Sequence, residues 1–469
     1  MKEIVKSLIN KGVLVNPELL REHDKLMDLY NKVFNDNNQS QHKISAPLSP
    51  EIEIIKNYSV DYEKKDISTF FNHYLSRFEK IKNILINRPK LINVTSISKV
   101  KYRNDQGNVS IIGMIKDKRE TINKNIILTV DDPTGEINIH INSLKKELYT
   151  SAKSLVLDEI IGIVGVMKGD IIFAEDIIIP DIPMDIETKK ISEESYVLFL
   201  SDIHVGSVNF LEEEFNRFLS WLNGEIGDSK QKEIVNKIQY IFIAGDLVDG
   251  VGIYPGQVEE LAIPDIREQY KKLVEYLIRI PKNIKVIICP GNHDAVRLAE
   301  PQPAFDIDIA SPLFNIPNIE LVSNPSYVRI AKTDNFEGFD VLMYHGYSFD
   351  YFISNIDMIR NNGGYDRADL VMKFLLQKRH LSPTHGSTVF IPFNKEDPLV
   401  IDRVPDFMVT GHIHKTSVAN YRKVTMICGS CWQKKTAFQE KLGHNPEPAR
   451  VPIINLNTRE IKILKFNTN

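Results

Sequence analysis

Five short segments carry side chains able to hold metal ions, and each one closes an apolar run. Val197-Leu198-Phe199-Leu200 leads into Asp202 and His204, and Ile241-Phe242-Ile243-Ala244 leads into Asp246 and Asp249. Val286-Ile287-Ile288-Cys289 runs into Asn292, His293 and Asp294. Val341-Leu342-Met343-Tyr344 ends at His345, and Phe407-Met408-Val409-Thr410 ends at His412 and His414. Asp, Asn and His without cysteine form a mixed oxygen and imidazole set, which suits manganese, iron or zinc better than a thiolate-bound structural zinc. Asp202, His204, Asp246, Asn292, His345, His412 and His414 are too many for one ordinary ion, whereas two ions sharing one carboxylate would use them all. Paired ions clamp the attacking and leaving oxygens of an in-line displacement at phosphorus. A solitary Asp-x-His is commonplace and says little; five such endings in one chain are not coincidence.

The elements that position these groups follow from the apolar runs. Continuous runs of four to six residues are what strands buried on both faces look like. Helical stretches such as Glu212 to Leu222 and Ile266 to Ile280 lie between some of them. In α/β sheets, sites form beyond the carboxyl ends of strands, so five strand ends are expected to meet at one edge. Asp202 and His204, at i and i+2 past a strand, can point the same way. Gly245, Gly291, Gly346 and Gly411 beside the ligands are expected to make the tight turns that aim side chains at one centre.

The rest of the chain divides by pattern. Residues 1–33 read as a small N-terminal helical module, and the polar, Asn/Ser/Pro-rich residues 34–50 as a linker. Residues 51–90 read as a helical connector, in which Phe70, Phe71, Tyr74, Leu75, Phe78, Ile81 and Leu85 form one apolar face that Pro89 ends. Residues 91–190 hold five short Ile/Val-rich strands, with the turn sequence Asp131-Asp132-Pro133-Thr134-Gly135 between two of them. That layout resembles an OB-fold barrel. Its strands show few exposed aromatics, so a nucleic-acid groove and a packing module stand equal here. Residues 191–469 form the α/β domain that carries the ligands.

Composition bounds the class. The 469 residues are 42% apolar and 26% charged, ordinary for a globular protein of about three domains. A disordered chain, a collagen-like fibre and a disulfide scaffold are excluded. Three cysteines (Cys289, Cys428, Cys431) fit a reducing, cytoplasmic compartment. The N-terminus mixes charge into its apolar pattern and does not read as a signal peptide. No apolar run approaches the roughly 20 residues that cross a bilayer, so no membrane partner is expected. The net charge of −4 means that positive charge at any bound phosphate must be local, or come from metal or a partner.

Asp-x-His, Gly-Asp-x-x-Asp, Gly-Asn-His-Asp, His-Gly and Gly-His-x-His, in that order, resemble the calcineurin-like metallophosphoesterase superfamily. Pro290 through Arg297 running into Glu300-Pro301-Gln302-Pro303, and Lys378-Arg379-His380-Leu381-Ser382-Pro383, are similar to the small subunits of archaeal family-D DNA polymerases. That family also has an OB-like barrel ahead of the phosphoesterase domain, behind a short helical module. The resemblance implies an α/β, multidomain fold: a β-sandwich flanked by helices, preceded by an OB-fold barrel and the N-terminal module. It implies one metal held by Asp202, His204, Asp246 and His414. A second would be held by Asp246, Asn292, His345 and His412, with Asp246 bridging. His293 matches the superfamily's catalytic histidine, which protonates the leaving oxygen.

The function so implied is 3′ to 5′ removal of nucleotides from DNA 3′ ends, as proofreading for a replicative polymerase. Its partners would be the large catalytic subunit, DNA with a single-stranded or mismatched 3′ end and, through the complex, a sliding clamp. Polymerase activity would belong to the assembled complex. The alternatives are a catalytically silent scaffold subunit and a stand-alone repair nuclease or phosphoesterase; the intact ligand set argues against the first and the barrel against the second. Asp249 and Asp294 are candidates for orienting the ligating histidines or for stabilising turns. Arg297, Arg379 and His380 are candidates for DNA-backbone contact, or for solvated or ion-paired roles. Cys428-Gly429-Ser430-Cys431 follows a strand and reads as structural.

Overall fold

The computed structural model describes residues 50–467, apart from 61–62, 103–106 and 442. The helical module expected at 1–33 and nearly all of the linker expected at 34–50 lie outside the described residues. Strand β1 (Ile52–Lys56) comes first, within the stretch expected to be a helical connector. It adds antiparallel to the strand Ser326–Ile330, with Ile52 opposite Ile330. Its charged, half-exposed run is what an edge strand looks like, and it carries little periodicity to read.

Strands β2 (Asn108–Glu120), β3 (Ile126–Asp132), β4 (Gly135–Ile141), β5 (Ile160–Lys168) and β6 (Ile171–Ile178) close a barrel in the order β2-β3-β4-β6-β5. Pro133 and Thr134 make the β3–β4 turn, where Asp132 Oδ1 accepts from the Thr134 backbone at 2.7 Å. The β-branched interior (Val109, Ile111, Val130, Ile139, Ile161, Ile163) fills the barrel with aliphatic side chains.

The remaining strands build a sandwich. They are β7 (Tyr196–Leu200), β8 (Ile238–Ala244), β9 (Lys285–Cys289), β10 (Ile319–Leu321), β11 (Ser326–Ile330), β12 (Phe339–Met343), β13 (Phe407–Thr410), β14 (Ser417–Tyr421), β15 (Val424–Cys428), β16 (Arg450–Asn455) and β17 (Ile461–Lys465). One six-stranded sheet runs β10-β9-β8-β7-β16-β17, the other β1-β11-β12-β13-β15-β14. Val197, Phe199, Phe242, Ile287, Val341, Met343, Phe407 and Val409 pack between them. Helices Glu212–Leu222 and Ile266–Leu277 cover the outer face of the first sheet, and helix Ala368–Lys378 covers that of the second. Both faces are therefore dry, which is why these strands read as unbroken apolar runs. Strands β7, β8 and β9 are parallel neighbours, as are β12 and β13, so their five carboxyl ends open on one rim.

Helix Ile67–Leu85 packs on the barrel through Phe78, Ile81 and Leu85, but its expected aromatic face is only partly right. Phe71 is 64% exposed and Phe70 41%, while His73 and Arg77 are buried. The reason is an ion cluster: Arg77 Nε donates to Asp397 Oδ2 at 2.6 Å, His380 Nε2 lies 2.9 Å and His73 Nε2 3.3 Å from the same oxygen. Asp397 is fully buried, so losing the cluster would leave an uncompensated charge in the interior. His380 thus takes the ion-paired one of its two expected roles. Arg379 is likewise buried rather than solvated, donating from Nε to Ile401 O at 2.6 Å and from Nη1 to Asp181 O at 3.4 Å. Beside it Lys378 pairs with Glu159 of the barrel at 2.6 Å, both buried. Lys378-Arg379-His380 thus ties the barrel and the helix Ile67–Leu85 to the sandwich.

Burial, then the Arg77 charge, push the His380 imidazole down to about 4. Its proton is taken up on unfolding, so stability falls as pH drops from about 6.5 towards 4, by about 3 kcal/mol from this group. Denaturant titrations across that window are expected to show the fall in the native chain and a flatter profile for His380→Gln; parallel profiles would contradict the assignment.

Candidate metal centre

The loops beyond the five strand ends are laced to one another before any ligand is considered. Asp202 N donates to Gly245 O at 2.9 Å, His204 N to Asp246 O at 3.1 Å and Gly411 N to His345 O at 2.9 Å. Asp202, His204, Asp246, His412 and His414 all have left-handed backbones, with φ of 50°, 55°, 52°, 73° and 54°. This region is unfavourable for side-chain-bearing residues, and such strain persists only where the surroundings over-determine it. The turns expected at the flanking glycines are present at Gly245 and Gly346, with φ of 84° and 118°. Gly291 and Gly411 serve close approach instead: a Cβ on Gly291 would lie 2.2 Å from Asp246 Oδ1, and one on Gly411 would lie 2.5 Å from Asp202 Oδ2.

All seven expected ligands converge. His204 Nε2 and His414 Nε2 stand 3.0 Å apart, with His414 Nε2 3.4 Å from Asp202 Oδ1. His345 Nε2 is 3.0 Å from Asn292 Oδ1 and 3.3 Å from Asp246 Oδ2. His412 Nδ1 is 3.0 Å from the same Asn292 oxygen, and His204 Nε2 is 3.9 Å from Asp246 Oδ2. Asp246 therefore faces both groups. One cluster (Asp202, His204, His414) and another (Asp202, Asp246, His345) each bring donor atoms within 4.8 Å of one another, the spacing of a shared ion. His293 also comes this close to His204 and Asp246.

The far nitrogens of the imidazoles are held. His345 Nδ1 donates to Ala244 O at 2.7 Å, which turns its Nε2 lone pair inward. His204 Nδ1 lies 3.2 Å from Asp249 Oδ1, itself an acceptor from Gln433 Nε2 at 2.8 Å. His412 Nε2 meets Asp350 Oδ2 at 2.9 Å, and His414 Nδ1 meets Gln439 at 2.9 Å. The carbonyl and carboxylate partners of His345 and His412 fix tautomer and ring direction, whereas Gln439, donating to His414 Nδ1, and Asp249, at ion-pair distance from His204, fix ring direction. Asp249 was a candidate for this role or for stabilising a turn. Asp350, Gln433 and Gln439 were not, because they come from segments with no ligand-type spacing. Asp294 orients no histidine: its carboxylate accepts from Gly291 N at 2.9 Å and Leu247 N at 3.2 Å, a turn-stabilising role. Arg297 turns back on its own loop, with Nη2 donating to Pro301 O at 2.6 Å. Gln302 explains the Pro-Gln-Pro stretch: its amide donates to Gly291 O and accepts from Asn324, bracing the Asn292–His293 loop.

His293 donates from Nδ1 to Asp249 O at 2.8 Å, leaving Nε2 as the nitrogen that can carry a proton to a ligand. Its ring stands edge-on to His204, centroids 4.7 Å apart.

Charge decides what this pocket wants. Burial alone would raise the Asp246 carboxyl, yet the charges of His345 and His293 outweigh it and hold it well below its ordinary range. In return, Asp246 overcomes burial and pushes His345 up to about 9. Among the described residues, the ion-pair partners of Asp202 and Asp246 are imidazoles, not Lys or Arg. Oxygen and imidazole donors, ionised carboxylates and exchangeable protons together fit divalent cations.

A family model for calcineurin-like phosphoesterases matches residues 195–416. The chain is 36% identical to the DNA polymerase II small subunit of Methanothermobacter thermautotrophicus, over 94% of this chain and 89% of that one. Against the DNA polymerase II small subunit of Archaeoglobus fulgidus it is 42% identical, over 83% and 75%. Against that of Methanocaldococcus jannaschii it is 40% identical, over 88% and 68%.

Close approach at Gly291 makes a structural test. Gly291→Ala is expected to destabilise the chain by roughly 1–3 kcal/mol in denaturant titrations, as over-packing does. Gly107→Ala, with nothing within 4 Å of the new methyl, is the neutral comparison.

Proposed function

Since this chain belongs to the family of archaeal DNA polymerase II small subunits and carries a calcineurin-like phosphoesterase domain, we propose that it is a 3′ to 5′ DNA exonuclease that proofreads for its polymerase. The observation that carries this reading is the complete donor set: two buried carboxylates and their imidazoles, several on strained left-handed backbones, at the carboxyl ends of five strands. A scaffold has no use for that strain.

In this reading Asp202, His204, Asp246 and His414 hold one divalent ion, and Asp246, Asn292, His345 and His412 hold the other. Manganese is the ion proposed, with iron, zinc or magnesium as alternatives that the same oxygen and imidazole donors accept. When bound, such a pair lowers the pKa of water and neutralises charge on the phosphoryl oxygens. The chain's own residues do the rest. Ala244 O, Asp249, Asp350 and Gln439 keep the imidazoles aimed inward. Gln302 and Asp294 fix the loop that carries His293. His293 Nε2 lies at the cleft and delivers a proton to the leaving 3′ oxygen of the penultimate nucleotide, worth roughly 10²–10⁴-fold.

The barrel order, with β4 parallel to β6 and the helix Lys146–Lys153 between β4 and β5, supports reading it as an OB fold. Its attachment through Glu159–Lys378 supports a packing role towards the nuclease domain. The large polymerase subunit is the proposed partner, supplying most of the grip on DNA and, with it, polymerase activity.

With manganese and a 3′-labelled single strand, the purified chain is expected to release mononucleotides. His293→Ala is expected to cut the rate 10²–10⁴-fold while manganese binding persists; Asp246→Asn is expected to lose both. Absence of release by the native protein would overturn the nuclease reading. Tagged native protein is expected to bring down a large polymerase subunit, and repeated failure would favour a stand-alone phosphoesterase.

A further inference from the structure

The metal centre opens into a cleft of about 560 Å³, a size that accepts one nucleotide-sized ligand. Its walls have an unusual balance. Asp249, Asp294 and Asp350 line it, yet among the described lining residues there is no Lys or Arg. The cationic candidates in its walls are imidazoles gathered around the reacting phosphate, so affinity for the rest of a nucleotide must come from uncharged contact.

That contact is available on one side. Tyr254 and Phe438 stack with ring centroids 4.9 Å apart and planes 21° from parallel. Tyr254 is anchored by its hydroxyl to Glu260 Oε2 at 2.9 Å, and its ring centroid lies 6.3 Å from that of His293. Phe438 is 40% exposed, so one side of the stack is open. Backed by a tyrosine tethered at its hydroxyl, the exposed phenylalanine offers a flat face to a second ring. Stacking on such a surface tolerates every base, because every base has a π-face.

We infer that the Tyr254–Phe438 stack is a platform for the 3′-terminal nucleobase, so that the centre selects nucleotides over other phosphoesters. The inference rests on the nuclease reading for its substrate, but not for its test. Tyr254 and Phe438 are specificity-determining residues here: they hold the base while His293 and the metal ligands act on the phosphate. No base edge is read, so removal does not depend on which base is terminal, as proofreading requires.

The test compares two oligonucleotides that differ only at the 3′ end, one with a natural base and one with an abasic tetrahydrofuran residue. The native chain with manganese is expected to favour the natural end at least 10-fold in kcat/KM, chiefly through KM. Phe438→Ala is expected to erase the preference and Phe438→Trp to restore it. Equal use of both ends by the native chain, or a preference that survives Phe438→Ala, would overturn the inference. Calorimetry with dAMP and 2-deoxyribose 5-phosphate provides a second arm without turnover. The native chain is expected to bind dAMP at least 10-fold more tightly, an advantage lost in Phe438→Ala but not in Phe438→Trp; equal affinities would overturn the platform. If the native chain cleaves neither oligonucleotide, the nuclease reading alone fails, because calorimetry still decides the platform.

Discussion

Two carboxylates, Asp202 and Asp246, are held almost fully out of water, and their negative charge must be answered from within the pocket. An ionised carboxylate removed from water without a partner costs several kcal/mol, so the fold survives only if cations face it. Among the described residues the facing cations are imidazoles, helped by the His293 and His412 backbone amides, and Asp246 in turn raises the His345 pKa to about 9. The same arrangement invites divalent ions to replace imidazole protons. The sandwich exists around this requirement: β7, β8 and β9 from one sheet and β12 and β13 from the other are needed to surround one point with so many short side chains.

Rigidity is layered around that point. Backbone hydrogen bonds between the loops fix where each residue leaves its strand, and left-handed φ angles turn the side chains back over the rim. A further ring of Asp249, Asp350, Gln439 and the Ala244 carbonyl fixes the imidazole planes. Farther out, Glu159–Lys378 and the Asp397 cluster bind barrel and helix to the sandwich.

Much of this was legible in the sequence where one physical rule dominated. The five central strands are dry on both faces, and dryness leaves unbroken apolar runs. Ligand types at their ends were equally plain, since Asp202, His204, Asp246, Asn292, His345, His412 and His414 have few other reasons to follow a buried strand. Legibility failed where tertiary partners decide. Nothing local distinguishes β1 from a loop, because its hydrogen bonds go to β11, nearly 280 residues away. His73 and Arg77 read as the solvent side of a helix until Asp397 arrives from another segment. Arg379 and His380 read as available cations for the same reason. Asp350 and Phe438 carry no motif, and only the folded chain brings them to the centre.

The central claim is that Asp246 is shared by two cations. Crystals of the chain soaked in manganese and measured at the manganese absorption edge test it most directly. The account predicts two anomalous peaks roughly 3.5–4 Å apart with the Asp246 carboxylate between them. A single peak that leaves His345 and His412 without an ion, or peaks only at surface carboxylates, would contradict it.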